Sequence, residues 1–292
     1  MSLDSHGRRT DGRGERGRFE AAAEISDADF DAVRRFVQRE IGLALSEAKK
    51  ALVVSRLGSR LRALHLRSYR QYVARAESDE AERQRLIDAI STNETRFFRE
   101  PAQFDFLRRE VLPRWTAQPP RRLRIWSAGC STGEEPYSIA MTLLGNLPAG
   151  EGWSFEVLAT DVSARALEQA AAAIYAFGVK TEIAPEILHR FFLRGVGSRE
   201  GQIRVREEVR ESVRFAAVNL HRTGSWPHGP FDAIFCRNVL IYFDADSRRR
   251  VIDALLARLT PGSLLFLGHA ESLNTVPGVR SLIPNVYVRT TG

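Results

Sequence analysis

The residues of this chain best suited to chemistry stand at the ends of short apolar runs. Leu123–Trp126 is one such run, and it leads through Ser127-Ala128-Gly129-Cys130-Ser131-Thr132-Gly133 into Glu134-Glu135-Pro136. A buried strand, a turn of small residues and a helix start make a cradle whose backbone N–H groups approach a bound group closely. A second run, Phe155–Ala159, ends at Asp161. An acid at that place in a Rossmann-like unit suits the paired hydroxyls of a ribose. A third, Phe231–Cys236, ends at Arg237-Asn238 with Tyr242 close behind, and Leu264–Leu267 stops just before His269 and Glu271. Upstream, Ser91–Pro101 (STNETRFFREP) sets Asn93, Thr95 and Arg99 around a double phenylalanine. That stretch reads either as a linker capping the next helix or as a ligand-facing segment with hydrogen-bonding groups and a charge clamp.

Cradle and acid together indicate an adenosine-type cofactor, and three compete. A P-loop requires a lysine after its second glycine; none stands here, and acids follow instead. A dinucleotide fold prefers G-x-G-x-x-G, but Gly129 and Gly133 lack the middle glycine, and Glu134 and Glu135 would repel a pyrophosphate. S-adenosylmethionine has no phosphate and carries a sulfonium, an ammonium and a carboxylate. A small-residue loop with carboxylates for the ammonium or ribose, and an arginine for the carboxylate, fits it best.

The elements that must position these groups alternate between strand and helix. The predicted order after residue 100 is Phe104–Leu112 (helix), Leu123–Trp126 (strand), Tyr137–Leu144 (helix), Phe155–Ala159 (strand), Ala164–Ala173 (helix), Val213–Val218 and Phe231–Cys236 (strands), Asp246–Leu259 (helix) and Leu264–Leu267 (strand), with Val286–Arg289 as an antiparallel edge. Ligand candidates fall at strand C-terminal ends, where open α/β sheets bind. The alternation breaks at about 179–212, where a short amphipathic helix, a glycine turn (Gly195, Gly197, Gly201) and alternating Gln202–Val205 read as a small β-rich insertion. Ile25–Ile90 reads as helices: Phe30–Ile41 with Phe30, Val33, Phe36 and Val37 on one face, Ser46–Leu66, Tyr69–Ala76 and Ala81–Ile90. The expected organisation is a tail over 1–20, a helical domain over 21–92 and a Rossmann-like α/β domain with its β-insertion over 93–292.

Composition bounds the remainder. The chain has 292 residues, 43% hydrophobic and 27% charged, ordinary values for a globular protein. No apolar run approaches the ~20 residues of a membrane span, and the N-terminus lacks the apolar core of a secretory signal. Cys130 and Cys236 make no disulfide framework and no zinc spacing; they read as buried thiols in a reducing cytoplasm. The net charge of +7, nearly all from arginine, points to an acidic partner. Part of it lies in Met1–Arg18, Gly/Arg/Asp-rich and expected to be disordered. Lys49, Arg56, Arg60 and Arg67 share a narrow arc of the second helix, either a solvated face or a docking surface.

Four separated motifs, Ser91–Pro101, Trp126–Tyr137 (WSAGCSTGEEPY), Phe231–Phe243 (FDAIFCRNVLIYF) and Gly268-His269-Ala270-Glu271, resemble the CheR-type chemoreceptor glutamate O-methyltransferases. The resemblance runs from about Asp27 to the end, with the motifs in the family's order. It implies a helical N-terminal domain, a methyltransferase domain with a small β-subdomain, S-adenosylmethionine as methyl donor (S-adenosylhomocysteine as product), and glutamate γ-methyl esters on transmembrane chemoreceptors as products. Positions matching the family's cofactor contacts are Asn93, Thr95, Arg99, Glu135, Asp161, Asn219, Leu220, Arg237 and Asn238; Tyr242 matches a tyrosine of the family's active site. No metal is implied.

The chemistry agrees with that resemblance. A glutamate, with a reference pKa of ~4.3, is already ionised near neutral pH, so its esterification needs no general base. The enzyme must align the carboxylate with the methyl and replace the water it strips. Arg99, Arg237 and Tyr242 suit that work, Arg99 serving either the acceptor or the cofactor's carboxylate; His269 reads as structural. With the resemblance, the arc Lys49/Arg56/Arg60/Arg67 becomes a candidate dock for acidic receptor helices, and charge reversal at Arg56 and Arg60 is expected to cut receptor methylation and spare cofactor binding. The turn Gly195/Gly197/Gly201 resembles members that bind a receptor's C-terminal pentapeptide by adding it to the sheet edge; a plain hairpin is the other reading. Nucleic-acid methylation is disfavoured, because Cys236-Arg237-Asn238-Val239 replaces the Asn/Asp-Pro-Pro-aromatic motif of amino-methylating enzymes. A sensor that binds cofactor without turnover is disfavoured by Arg99, Asp161, Arg237 and Tyr242 occurring together. Nothing demands membrane insertion or more than a monomer.

Overall fold

The computed structural model describes residues 25–119, 121–177, 183–273 and 276–291. The expected tail and the start of the insertion lie outside them. The first helix, α1 (Asp27–Ile41), begins where the Ser26 hydroxyl accepts the Asp29 N–H and ends at Gly42, whose φ of 73° closes the last turn onto the Gln38 carbonyl. Its apolar face, Phe30, Val33, Phe36 and Val37, is almost wholly buried against α2 (Lys50–Ala63), α3 (Tyr69–Ser78) and α4 (Glu80–Ile90).

Two short helices, α5 (Pro101–Phe106) and α6 (Leu112–Thr116), joined by a π turn, lead to an alternation of strand and helix. The order is β1 (Arg122–Ala128), α7 (Glu134–Asn146), β2 (Ser154–Asp161), α8 (Ala164–Ala172), β3 (Ile174–Ala176), α9 (Pro185–Phe191), β4 (Phe192–Arg194), β5 (Gln202–Val205), α10 (Glu207–Arg210), β6 (Val213–Ala217), β7 (Phe231–Cys236), α11 (Ala245–Leu256), β8 (Leu259–Leu267), β9 (Val279–Ile283) and β10 (Val286–Arg289). The main sheet is ordered β6-β2-β1-β7-β8-β10-β9, and β3-β5-β4 form a separate antiparallel sheet that joins the insertion to the short strand β3 just before it. Strands β6 through β8 are parallel; β10 and β9 are antiparallel. Val286–Arg289 is therefore not the edge expected from the sequence. Val279–Ile283 covers it, a strand whose exposed, polar half hides its alternation.

The sheet grows from β1 one way through β2 and β6, and from β7 the other way through β8. Loops after neighbouring β1 and β7 leave in opposite directions, and the crevice between them is the binding place of such sheets. The helical domain closes that crevice. Leu43 forms a β-bridge with Phe243, the Ala44 N–H donates to the Tyr242 carbonyl at 2.8 Å, and the Asn219 amide donates to the Glu40 carbonyl at 2.6 Å.

The basic arc of the second helix is not what its spacing suggested. Arg56 donates to the carbonyls of Ala89, Ile90 and Ser91 at 3.2, 3.0 and 2.7 Å, capping α4, and Arg60 is paired with the buried Glu82. Both arginines hold α2 against α4, so they are not a free docking surface; Lys49 and Arg67 are exposed. Replacing Arg56 by glutamate is expected to destabilise the protein by about 1–3 kcal/mol in denaturant unfolding, since three partly buried carbonyls lose their donor. It should also weaken cofactor binding, because Ser91 opens the segment that lines the crevice.

Candidate active site

The crevice is a cavity of about 170 Å³ between the helical domain and the C-terminal ends of β1, β2, β6 and β7. All nine residues matched to cofactor contacts line it, as does Tyr242. The turn after β1 is tight: Gly129 and Cys130 both donate to the Thr160 carbonyl at 2.8 Å, and Gly133, at φ 98°, sits so near Ala170 and the Tyr175 hydroxyl that a Cβ would collide with both. Ser131 donates its N–H to Asp161 at 2.8 Å and its hydroxyl to the Asn93 carbonyl at 3.0 Å, joining the two ligand-facing segments. Asp161 also accepts the Ser163 N–H at 2.9 Å at the start of α8. A carboxylate accepts more than two hydrogen bonds, so Asp161 retains capacity toward the cavity it lines.

The arginines divide. The Arg237 side chain is 2% exposed and lies 3.2 Å from both Glu100 and Glu135; it also donates to the Arg99 carbonyl and lies over the Phe104 ring. Expected to replace water around an acceptor carboxylate, it is instead committed to two internal carboxylates. Among the described residues Arg99 makes one hydrogen bond, to the Glu94 carbonyl at 3.1 Å, and is the lining cation left for a ligand. Glu135 and Asn219 are engaged as well: Glu135 accepts from Ser127 and Arg237, and Asn219 holds the Glu40 carbonyl and the His221 N–H. Both remain part of the wall. His269 lies outside the lining, with its side chain 70% exposed.

Sequence reasoning missed the apolar wall, Ile41, Leu43, Val162, Val218 and Phe243. At a helix end or a strand end such residues look like core, and no local signal separates the two. Glu271, noted at the end of a strand, carries no role in that reading. This buried carboxylate accepts the N–H groups of Gly268, Asn238 and Ile241 at 2.8, 2.9 and 3.2 Å, fixing the loop that carries Tyr242.

Burial pushes the Glu134, Glu135 and Asp161 carboxyls above their usual range; Thr132, Arg237 and the backbone N–H groups of Ser163 and Ser131 respectively oppose it. It pushes the Cys130 and Cys236 thiols up too, leaving neither a ready nucleophile.

A mostly parallel sheet with a turn of small residues, an acid after the second strand and an apolar wall defines a Rossmann-like, S-adenosylmethionine-dependent methyltransferase. The fit is chemical: the apolar wall suits adenine, Asp161 the ribose, and Asn93, Thr95 and Arg99 a polar amino-acid end. Residues 28–91 match the CheR methyltransferase all-alpha domain and residues 93–288 the CheR methyltransferase SAM binding domain. The chain is 39% identical to a chemotaxis protein methyltransferase of Salmonella typhimurium, with 86% of each chain covered, and 40% identical to chemotaxis protein methyltransferase 2 of Pseudomonas aeruginosa, covering 89% of this chain and 92% of that one. It belongs to the CheR methyltransferase family, and its cofactor is S-adenosylmethionine.

The raised carboxyls give a pH prediction. Groups whose folded-state values lie above their unfolded ones lose their stabilising contribution as pH rises through the folded value. A cationic cofactor favours the charged forms of Glu135 and Asp161, the two that line the cavity, so its affinity should fall as pH drops through those raised values. The half-buried Asp79 and the paired Glu82 shift downward and affect overall stability with the opposite sign. The clean readout is therefore the melting-temperature increase that S-adenosylmethionine confers, expected to shrink from neutral toward mildly acidic pH; a constant increase would contradict it.

Proposed function

We propose that this protein transfers the methyl of S-adenosylmethionine to glutamate side chains of membrane chemoreceptors, on their cytoplasmic helices, giving γ-methyl esters. One observation carries the reading: among the described residues Arg99 is the cation of the cavity not bound to a carboxylate, Tyr242 lines the same cavity, no histidine, lysine or cysteine does, and the lining carboxylates Glu135 and Asp161 are already engaged by Arg237 and by backbone N–H groups. That set suits an acceptor that arrives already charged. When bound, the cofactor supplies a methyl on a sulfonium. Asp161, Asn93 and Thr95 would hold it, and the apolar wall would exclude water around it. Arg99 and the Tyr242 hydroxyl, which has no protein partner among the described residues, replace the water lost by the incoming carboxylate. Arg237 stabilises the site from behind by pairing with Glu135.

Receptor recognition would use the exposed cations Lys49 and Arg67 against acidic helices. It would also use the small antiparallel sheet, where a receptor C-terminal peptide adds to the exposed β4 edge beside Leu193, Val196 and the Gly195/Gly197/Gly201 turn.

The test is transfer of radiolabelled methyl to receptor-containing membranes, followed by mild base. Label released as methanol identifies a carboxyl methyl ester; base-stable label excludes one. In the same assay, Lys49→Glu with Arg67→Glu is expected to lower receptor methylation about three- to tenfold while leaving S-adenosylhomocysteine affinity unchanged, because exposed charges act mainly on association. Equal rates on receptors with and without their C-terminal tail would remove the peptide surface.

A further inference from the structure

Arg99 projects into the cavity from a backbone that is unusual on both sides. Phe98 and Glu100 have φ of 52° and 62°, the left-handed region that side chains other than glycine rarely adopt. Such conformations persist only where surrounding structure over-determines them. Here the surroundings are specific. The Phe98 N–H donates to the Ser138 hydroxyl at 2.9 Å. The Arg99 carbonyl accepts from the Arg237 guanidinium. The Glu100 carboxylate is 6% exposed and does not line the cavity. One of its oxygens lies 3.2 Å from Arg237; the other accepts the His269 N–H at 3.2 Å and meets the Asn238 amide at 3.5 Å. Through Arg237 the connection continues to Glu135 at the start of α7. The Arg99 segment is thus tied at one point to the C-terminal ends of β7 and β8 and to the helix after the cradle.

We propose that Glu100 is a positioning residue for methyl transfer. Acting through Arg237 and the His269 backbone, its buried carboxylate holds the Arg99 backbone so that the guanidinium faces the cavity. The inference deepens the methyl-transfer reading of this site and rests on it. Arg237 has the second part in the same device: its single charge is shared between Glu100 and Glu135, and its N–H group holds the residue whose side chain meets the ligand. Because misplacement by about an ångström can cost about 10²-fold in rate, a group outside the cavity acquires a catalytic consequence.

A double-mutant cycle tests this. Glu100→Gln keeps the side-chain volume and an acceptor for His269 but removes the charge facing Arg237. In the otherwise unchanged protein it is expected to lower kcat/KM with receptor membranes about 10- to 100-fold. In an Arg99→Ala background, followed in single turnovers with radiolabelled cofactor, the same substitution should cost less than about twofold, because the group it positions is gone. S-adenosylhomocysteine affinity of the four proteins is measured in parallel, where the coupling appears if Arg99 serves the cofactor. A Glu100 that only stabilises the fold would lower the melting temperature and impose the same fold-loss in both backgrounds. Costs that multiply in both readouts overturn the proposal; coupled costs in either support it. If Glu100→Gln fails to fold, Glu100→Asp takes its place in the cycle. If the unchanged protein methylates no receptor, the glutamate reading fails by itself, and the cycle is decided on affinity alone: coupled costs keep the proposal, and independent or absent costs overturn it.

Discussion

Replacing Arg99 by alanine is expected to lower kcat/KM for methyl transfer about 10²–10³-fold, the range seen when one preorganised donor is removed from the reacting group. The fold should survive, because the guanidinium's one internal hydrogen bond is to the Glu94 carbonyl in a half-exposed segment. The melting temperature should move by no more than about 2 °C, as for a substitution costing under about 0.5 kcal/mol. The same variant separates the two roles open to this arginine. If S-adenosylhomocysteine affinity falls as far as the rate, Arg99 serves the cofactor's carboxylate. If affinity holds and the rate falls, it serves the acceptor. Arg99→Lys should recover only part of the loss, since an ammonium lacks the planar fork that grips a carboxylate at two points. Activity within about threefold of the parent would contradict both assignments; the donor argument behind them gives no way for so small an effect to arise.

The second large effect is expected at Asp161. Its alanine variant should bind S-adenosylhomocysteine more than about 10²-fold more weakly in calorimetric titration, because a site built to hydrogen-bond hydroxyls discriminates strongly when its acceptor is lost. Unlike the arginine variant, this one should also be less stable. Asp161 accepts the N–H groups of Ser131 and Ser163 at 2.8 and 2.9 Å, and removing it strands two buried donors at about 1–3 kcal/mol each. Ser131 has φ 51° and links the cradle to Asn93, so the turn itself should loosen. Asp161→Asn retains one acceptor oxygen and should fall between parent and alanine in both measurements. An alanine variant of parental affinity would mean that the ribose lies elsewhere.

Much of this was legible in the chain before folding, and the reason is geometric. In a parallel sheet every strand delivers its C-terminal end to the same edge. Residues that follow apolar runs, such as Gly129, Asp161, Asn219 and Arg237, are therefore collected at one place, whatever the exact strand boundaries. That is why residues at strand ends, which the family resemblance also named, line one cavity. The helical domain was equally readable from the 3.6-residue period of Phe30, Val33, Phe36 and Val37.

What spacing could not supply was the state of each charged group. A helical wheel placed Arg56 and Arg60 together but could not show that α4 covers them, because their partners at Ala89 and Glu82 are 33 and 22 residues away. Arg237 looked like a ligand for a carboxylate and is one, but its carboxylates are Glu100 and Glu135, the latter 102 residues distant. Nor could apolar periodicity distinguish Ile41 and Leu43 in a cavity wall from the same residues in a core. By itself the sequence determined the fold class and an adenosine-type cofactor, because these follow from element order and from what ends each element, while the resemblance of its four motifs to a known family named the class of enzyme and the set of residues at the site. Only the tertiary structure decided which of those residues are free to act, because ion pairing depends on distances through space that no local pattern encodes.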